Sequence, residues 1–285
     1  MTATRHLTST FGVELAVHDL GGRGRPALFA HATGFHGRVW EPLVSKLSGV
    51  HSWAPDLRGH GDSPVPPDHD FAWSRFADDV LATLDGLGLT SADPAAKPIG
   101  VGHSKGGAAL LLAEERRPGT FAALWCYEPV VFPDDLVSSG AENPLAAGAR
   151  RRRATFDSFD AAYDNYAAKP PLDELDPTAL RAYVEHGFIQ QADGSVTLKC
   201  RPENEARVFE MAMTSHAFEH LPEVACPVTV VRGRAEVAGP ASFADRVAGA
   251  LPQGRLEVHE DLGHFGPLES PGRMAASVQA VIDAA

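Results

Sequence analysis

The stretch Gly100-Val101-Gly102-His103-Ser104-Lys105-Gly106-Gly107 sets one serine among glycines, directly after the apolar Pro98–Val101 and before the helical run Ala108–Glu115. It reads as strand, turn and helix, and glycine is the residue that permits so tight a turn. In a Gly-x-Ser-x-Gly turn of this kind the strand-to-helix bend lifts the serine hydroxyl out of the fold as a nucleophile. A plain connector has the same five positions. The rest of the chain must therefore supply a base, an acid and an oxyanion site.

Outward from the turn, short apolar runs alternate with helical ones. Val13–Val17, Ala27–Ala30, His51–Ala54, Phe121–Tyr127, Pro227–Val231 and Arg255–His259 read as strands. Ala27–Ala30 is continuously apolar, as strands buried on both faces of a parallel sheet are. Trp40–Leu47, Phe71–Leu87, Ser242–Leu251 and a last segment from about Pro271 have helical spacing. This alternation predicts an α/β fold with a mostly parallel central sheet flanked by helices. Between Pro133 and Val224 the rhythm breaks into charged helical pieces with scattered aromatics, the pattern of a mostly helical insertion over the sheet. Residues 1–132 and 222–285 are thus expected to form the core, and 133–221 a helical cap.

The 285 residues, 44% of them hydrophobic, suffice for one large domain with an insertion. A formal net charge of −12 argues against nucleic acid and anionic membrane as partners. No stretch approaches the ~18 apolar residues of a membrane span, and no secretory leader is evident. Cys126, Cys200 and Cys226 are odd in number and widely spaced, which gives no disulfide framework and makes the cytoplasm the expected compartment. His216-Ala217-Phe218-Glu219-His220 has the spacing of a zinc pair, but Pro222 ends any helix there, so no metal is expected. Arg150–Arg153 is the one basic block and reads as a solvated face.

A serine hydroxyl needs a base within hydrogen-bond reach. His264, in Leu262-Gly263-His264-Phe265-Gly266, lies in a loop just past the last strand and is the best candidate. Glu128, closing the apolar strand Leu124–Tyr127, and Glu236, in the loop after Val228–Val231, compete as the acid that orients it. Both follow Ser104 and precede His264; Glu128 is slightly preferred, because a carboxylate ending so apolar a run would be costly unless paired. Oxyanion donors are expected from the backbone N–H of Lys105 at the helix start and from the loop His31–Phe35, with Thr33 the chosen residue. The Lys105 side chain is expected to point to solvent. Asp56 and Arg58 are read as a loop-fixing turn or salt bridge.

Together these residues resemble the α/β-hydrolase family, in its serine-nucleophile branch with a helical cap. Gly102–Gly106 resembles its nucleophile elbow, Asp56-Leu57-Arg58-Gly59-His60-Gly61-Asp62-Ser63 its Asp-x-Arg-Gly-x-Gly-x-Ser loop, and Gly263-His264-Phe265 its histidine loop. The oxyanion loop departs from the family's His-Gly in being His31-Ala32, and position 236 holds Glu where Asp is common. Some relatives place a Glu after the sixth strand, where Glu128 falls. The resemblance implies a hydrolase of a small-molecule ester, lactone or related acyl compound, with no cofactor. His103, Phe35, Phe156, Tyr163, Phe209 and Met213 are weak candidates for substrate contact, packing being the simpler role for the last four. The same fold also hosts lyases, perhydrolases, carbon–carbon hydrolases and ligand receptors, so fold does not fix the reaction. Oligomeric state and substrate identity have no signal in the sequence.

Overall fold

The structure is a computed structural model and describes residues 3–136, 143–212, 215–235 and 239–285. Its strands are β1 (Ala3–Thr8), β2 (Glu14–Gly22), β3 (Arg25–Ala30), β4 (Val50–Pro55), β5 (Ile99–His103), β6 (Ala123–Tyr127), β7 (Thr155–Phe156), β8 (Phe188–Gln190), β9 (Val196–Leu198), β10 (Val228–Arg232) and β11 (Gly254–Val258). An eight-stranded sheet runs β1-β2-β4-β3-β5-β6-β10-β11. The pairs β1–β2 and β2–β4 are antiparallel, and every pair from β4 to β11 is parallel. Ala27, Leu28, Phe29 and Ala30 are wholly buried, as expected of a central strand covered on both faces.

Helices α1 (Glu41–Val44), α2 (Ser74–Leu87) and α3 (Lys105–Arg116) precede β6, and α4 (Pro144–Arg150), α5 (Phe159–Ala167), α6 (Pro177–Gly187) and α7 (Pro202–Met211) lie between β6 and β10. Helices α8 (Ala244–Ala250), α9 (Gly266–Glu269) and α10 (Pro271–Ala284) follow. On one face of the sheet α2, α3 and α8 contribute Phe76, Val80, Leu84, Leu110 and Val247 to a common core; on the other, Trp40, Leu43, Met274 and Val278 form a second. Phe76, Val80 and Leu84 recur at helical steps, and full burial of each stabilises the fold by about 1.5–3 kcal/mol. Gly88, at φ 68°, ends α2 in the left-handed conformation that favours glycine.

Three local features differ from or add to the sequence reading. Strand β1 was not anticipated, because its polar sequence lies mostly exposed at the sheet edge. The helix expected over Trp40–Leu47 is one short turn, α1, entered at Pro42 and preceded by a 3-10 turn over Gly37–Trp40. The segment between β6 and β10 carries α4–α7 together with a small antiparallel sheet of β7, β9 and β8, which the sequence reading did not include. That segment is tied down by Trp73 Nε1–H donating to the Val208 carbonyl (2.9 Å), Arg201 to the Val65 carbonyl (2.9 Å) and the Asp176 N–H to the Leu268 carbonyl (2.9 Å).

The Asp56–Ser63 loop is fixed from within. The Asp56 carboxylate accepts the N–H groups of Gly37 and Asp62, each at 2.7 Å, with His18 Nε2 at 3.1 Å. Arg58, wholly buried, pairs with the wholly buried Asp79 at 2.6 Å, and Ser9 donates to the same carboxylate. Removing one partner of such a pair would leave an uncompensated buried charge, so the loop has little freedom.

His31, His36, His60 and His103 are all buried. Burial holds each well below the ordinary imidazole value, and for His36 the value falls from 6.5 to about 4. As pH drops from 6.5 towards 4 the unfolded chain binds protons that the folded chain refuses, so stability is lost across that window. Urea titrations should give a lower unfolding free energy at about pH 5 than at neutral pH. An unchanged value would contradict the buried, neutral histidines.

Candidate active site

Ser104 stands between β5 and α3 with φ 56° and ψ −118°, a strained conformation for a residue with a side chain. The turn is held on both sides: the Ser104 N–H donates to the Tyr127 carbonyl (2.9 Å), and the Ser104 carbonyl accepts from Ala108 and Val130. The flanking glycines are required. A Cβ on Gly106 would overlap the Ala30 carbonyl, and one on Gly102 would sit 2.6 Å from Gly107 Cα. Close packing of β3, β5 and α3 thus fixes the elbow.

Glu128 follows β6 directly, at φ 42° and 2% exposure. Its N–H donates to the Val231 carbonyl (2.7 Å), which turns the side chain toward the ends of β6 and β10. There Oε1 accepts the Gly233 N–H (2.9 Å) and Oε2 accepts His264 Nδ1–H (2.6 Å). This arrangement fixes the His264 tautomer and leaves Nε2 free of a proton. The rival Glu236, like Met213, lies outside the described residues.

The His264 loop is pinned at four points. Tyr127 Oη–H donates to the Gly263 carbonyl (2.7 Å), and Glu269 accepts the N–H groups of Gly263 (2.7 Å) and Phe265 (3.1 Å). His103, the residue before Ser104, donates from Nε2 to the His264 carbonyl (2.7 Å), and the two rings lie 5.0 Å apart. Burial first, and then proximity to the second imidazole, hold His103 below its ordinary value, so it serves as a neutral donor. His103 was considered only as a substrate contact; its structural partner is the histidine loop.

The loop after β3 is buried throughout, with Thr33 at 8% exposure and Gly34 at φ 82°. Phe35 packs against Tyr183 of α6 (5.0 Å) and Phe265 (5.5 Å), and it lies 6.5 Å from the His103 ring. The Lys105 N–H opens α3, where first-turn N–H groups have no intrahelical acceptor. The side chain of Lys105 does not reach solvent, contrary to expectation. It is wholly buried, with Nζ 4.4 Å from the centre of the Phe76 ring and 3.5 Å from His60 Nε2. Burial pulls its ammonium down to about 7.

The remaining candidates fall elsewhere. Phe156 is buried among Tyr166 and Phe188, and Phe209 packs on Ala146, Ala149 and Ala206. Tyr163 carries the Arg181 guanidinium at 4.0 Å and lines a surface groove of about 520 Å³ with Glu41 and His186. In the basic block Arg150, Arg151 and Arg153 are exposed, as a solvated face requires, and Arg152 alone turns inward. Arg150 pairs with Glu203 and Glu210, whereas Arg152 is half-buried, bonded to Glu205 (2.5 Å), Tyr183 (2.5 Å) and Tyr166 (3.1 Å). Glu205 and Arg152 stand over Gly34, where a Cβ would meet Glu205 Oε1 at 2.7 Å. No sequence signal distinguished Arg152 from its neighbours. His216 and His220 share no helix; they border a turn, and His220 faces Glu115 (3.7 Å) and Glu223 (3.5 Å). Among the described residues no helix is long and apolar enough to cross a membrane.

Residues 27–277 match the sequence profile of the "Alpha/beta hydrolase family". The chain is 30% identical over 289 residues to "Lipase LipV" of Mycobacterium tuberculosis, covering 94% of this chain and 97% of that lipase. It is 26% identical to a "2-hydroxymuconate semialdehyde hydrolase" of Pseudomonas putida, over 94% of this chain and 90% of that enzyme. Among solved structures, E-2-(acetamidomethylene)succinate hydrolase superposes with a TM-score of 0.82 at 22% identity, covering 99% of this chain and all (100%) of that one. An esterase from Thermogutta terrifontis superposes with a TM-score of 0.73 at 23% identity, covering 99% and 98%. The match spans Ser104, Glu128 and His264 alike, and the chain belongs to the alpha/beta hydrolase family.

Proposed function

We propose that this chain is a serine hydrolase that cleaves a small ester or related acyl compound through Ser104, His264 and Glu128. The observation that carries the reading is one polar chain: the Glu128 carboxylate on His264 Nδ1 at 2.6 Å, and the His264 loop tied to the strained Ser104 turn through His103. The lipase and esterase relatives support an ester as the substrate class.

In the proposed reaction His264 Nε2 takes the Ser104 hydroxyl proton as Oγ attacks the acyl carbon. The imidazolium that forms is stabilised by the buried Glu128, whose other oxygen is already held by the Gly233 N–H. The carbonyl oxygen becomes an oxyanion facing the N–H groups of Lys105 and Thr33, where preorganised donors act most strongly. Collapse of the adduct breaks the bond to the alcohol, which leaves with the proton from His264. Water, deprotonated by the same imidazole, then releases the acid and restores Ser104. The segment between β6 and β10 acts as the cap in this reading. Ser104, Thr33, Phe35 and His103 are each less than a tenth exposed, which favours a small acyl group.

Turnover of short-chain p-nitrophenyl esters tests the proposal. Ser104→Ala should lower kcat/KM by about 1,000-fold or more while keeping the wild-type circular dichroism spectrum. An active Ser104→Ala variant would refute a serine mechanism. Glu128→Gln should lose roughly 100-fold to 10,000-fold in kcat with KM little changed. Retention of full kcat in that variant would remove Glu128 from the reaction.

A further inference from the structure

Among the described residues no carboxylate lies in salt-bridge range of Lys105, which is unusual for a lysine wholly buried in a core, and it stands one residue past Ser104. Its surroundings form a connected set. His60 Nδ1–H donates to the Arg58 carbonyl (2.9 Å), so His60 Nε2 carries the lone pair that faces Lys105 Nζ at 3.5 Å. The His60 ring lies 5.1 Å from that of His31. His31 Nε2 accepts the Leu57 N–H (3.0 Å), which forces its proton onto Nδ1, and Nδ1–H donates to the Ala32 carbonyl (2.7 Å). The Ala32 carbonyl and the Thr33 N–H belong to one planar trans peptide and point in opposite directions. A donor on that carbonyl therefore orients the Thr33 N–H and polarises it.

We infer that the Lys105 side chain is a positioning residue for the oxyanion site: through His60 and His31 it holds the Ala32–Thr33 peptide, so one residue serves both donors, the first through its own backbone and the second through its side chain. This rests on the proposed serine mechanism. The coupling works through charge as well as contact. Burial first, and then the Lys105 charge, hold both His31 and His60 well below the ordinary imidazole value. A protonated His31 would turn an N–H against the Leu57 N–H and release the loop; the buried ammonium opposes that state. The nearest sequence neighbour to the nucleophile thus also fixes the second oxyanion donor.

The test is a double-mutant cycle on kcat and KM with a p-nitrophenyl ester, using Lys105→Met, His31→Phe and the double variant, each checked for folding by thermal melting. Each single variant should lose about tenfold or more in kcat with KM within about threefold, because an interaction made only in the transition state is removed. The double variant should be no worse than about threefold below the weaker single, as expected of residues acting through one another. Lys105→Gln keeps a donor toward His60; its kcat should lie above that of Lys105→Met, and it substitutes in the cycle if the Met variant does not fold. Wild-type kcat in Lys105→Met, additive losses in the double variant, or a Gln variant no better than Met would each overturn the inference. Failure of the underlying mechanism looks different: Ser104→Ala would then keep wild-type turnover, whatever Lys105 does.

Discussion

The buried carboxylate of Glu128 is the constraint on which the site depends. One oxygen is spent on the Gly233 N–H and the other on His264, so the end of β6, the end of β10 and the last loop meet at a single group. A carboxylate at 2% exposure is tolerable only because both oxygens have partners. The parallel pairing of β6 and β10, which sets Tyr127 opposite Val231, brings Glu128 and Gly233 to the same level. Gly233 must be glycine, because a Cβ there would press on the Gly263 carbonyl and the Tyr127 hydroxyl. The fold thereby fixes the imidazole before any substrate arrives, and pre-arranged polar groups are what acyl transfer most requires.

The parts of this arrangement legible in the sequence were those written in local composition. The glycines around Ser104 demanded a tight turn, and the uninterrupted apolar run of β3 marked a strand covered on both sides. Glu128 and Glu236 could not be separated by order along the chain, because both lie between Ser104 and His264. For Glu128 the pairing with His264 appears only once β6 and β10 stand side by side. Lys105 was misread for a related reason: a cation in a polar-looking turn suggests solvent, whereas the direction of its side chain depends on how α3 packs against Phe76 and the Asp56–Ser63 loop. Strand β1 escaped notice because an exposed edge strand needs no apolar pattern. The small β7-β9-β8 sheet escaped because strands of two or three residues leave no period to read.

The segment between β6 and β10 covers the loop after β3 with polar groups. Arg152, Glu205, Tyr166 and Tyr183 form a polar cluster over Gly34, and Tyr183 also packs on Phe35. The roof over Gly34 and Phe35 is therefore charged and hydrogen-bonded, not simply greasy. Phe156, buried at 1%, packs beneath that roof against Tyr166 and Phe188, which illustrates how aromatic residues in a small subdomain are first needed for its own core.

The central claim is that Ser104 is an activated nucleophile, with His264 and Glu128 as the source of the activation. Intact mass after exposure to a small fluorophosphonate, followed over time on wild type, Ser104→Ala and Glu128→Gln, tests it most directly. The account predicts one covalent adduct on wild type, none on Ser104→Ala, and a markedly slower adduct on Glu128→Gln. An unlabelled wild type, or an adduct that persists in Ser104→Ala, would contradict it.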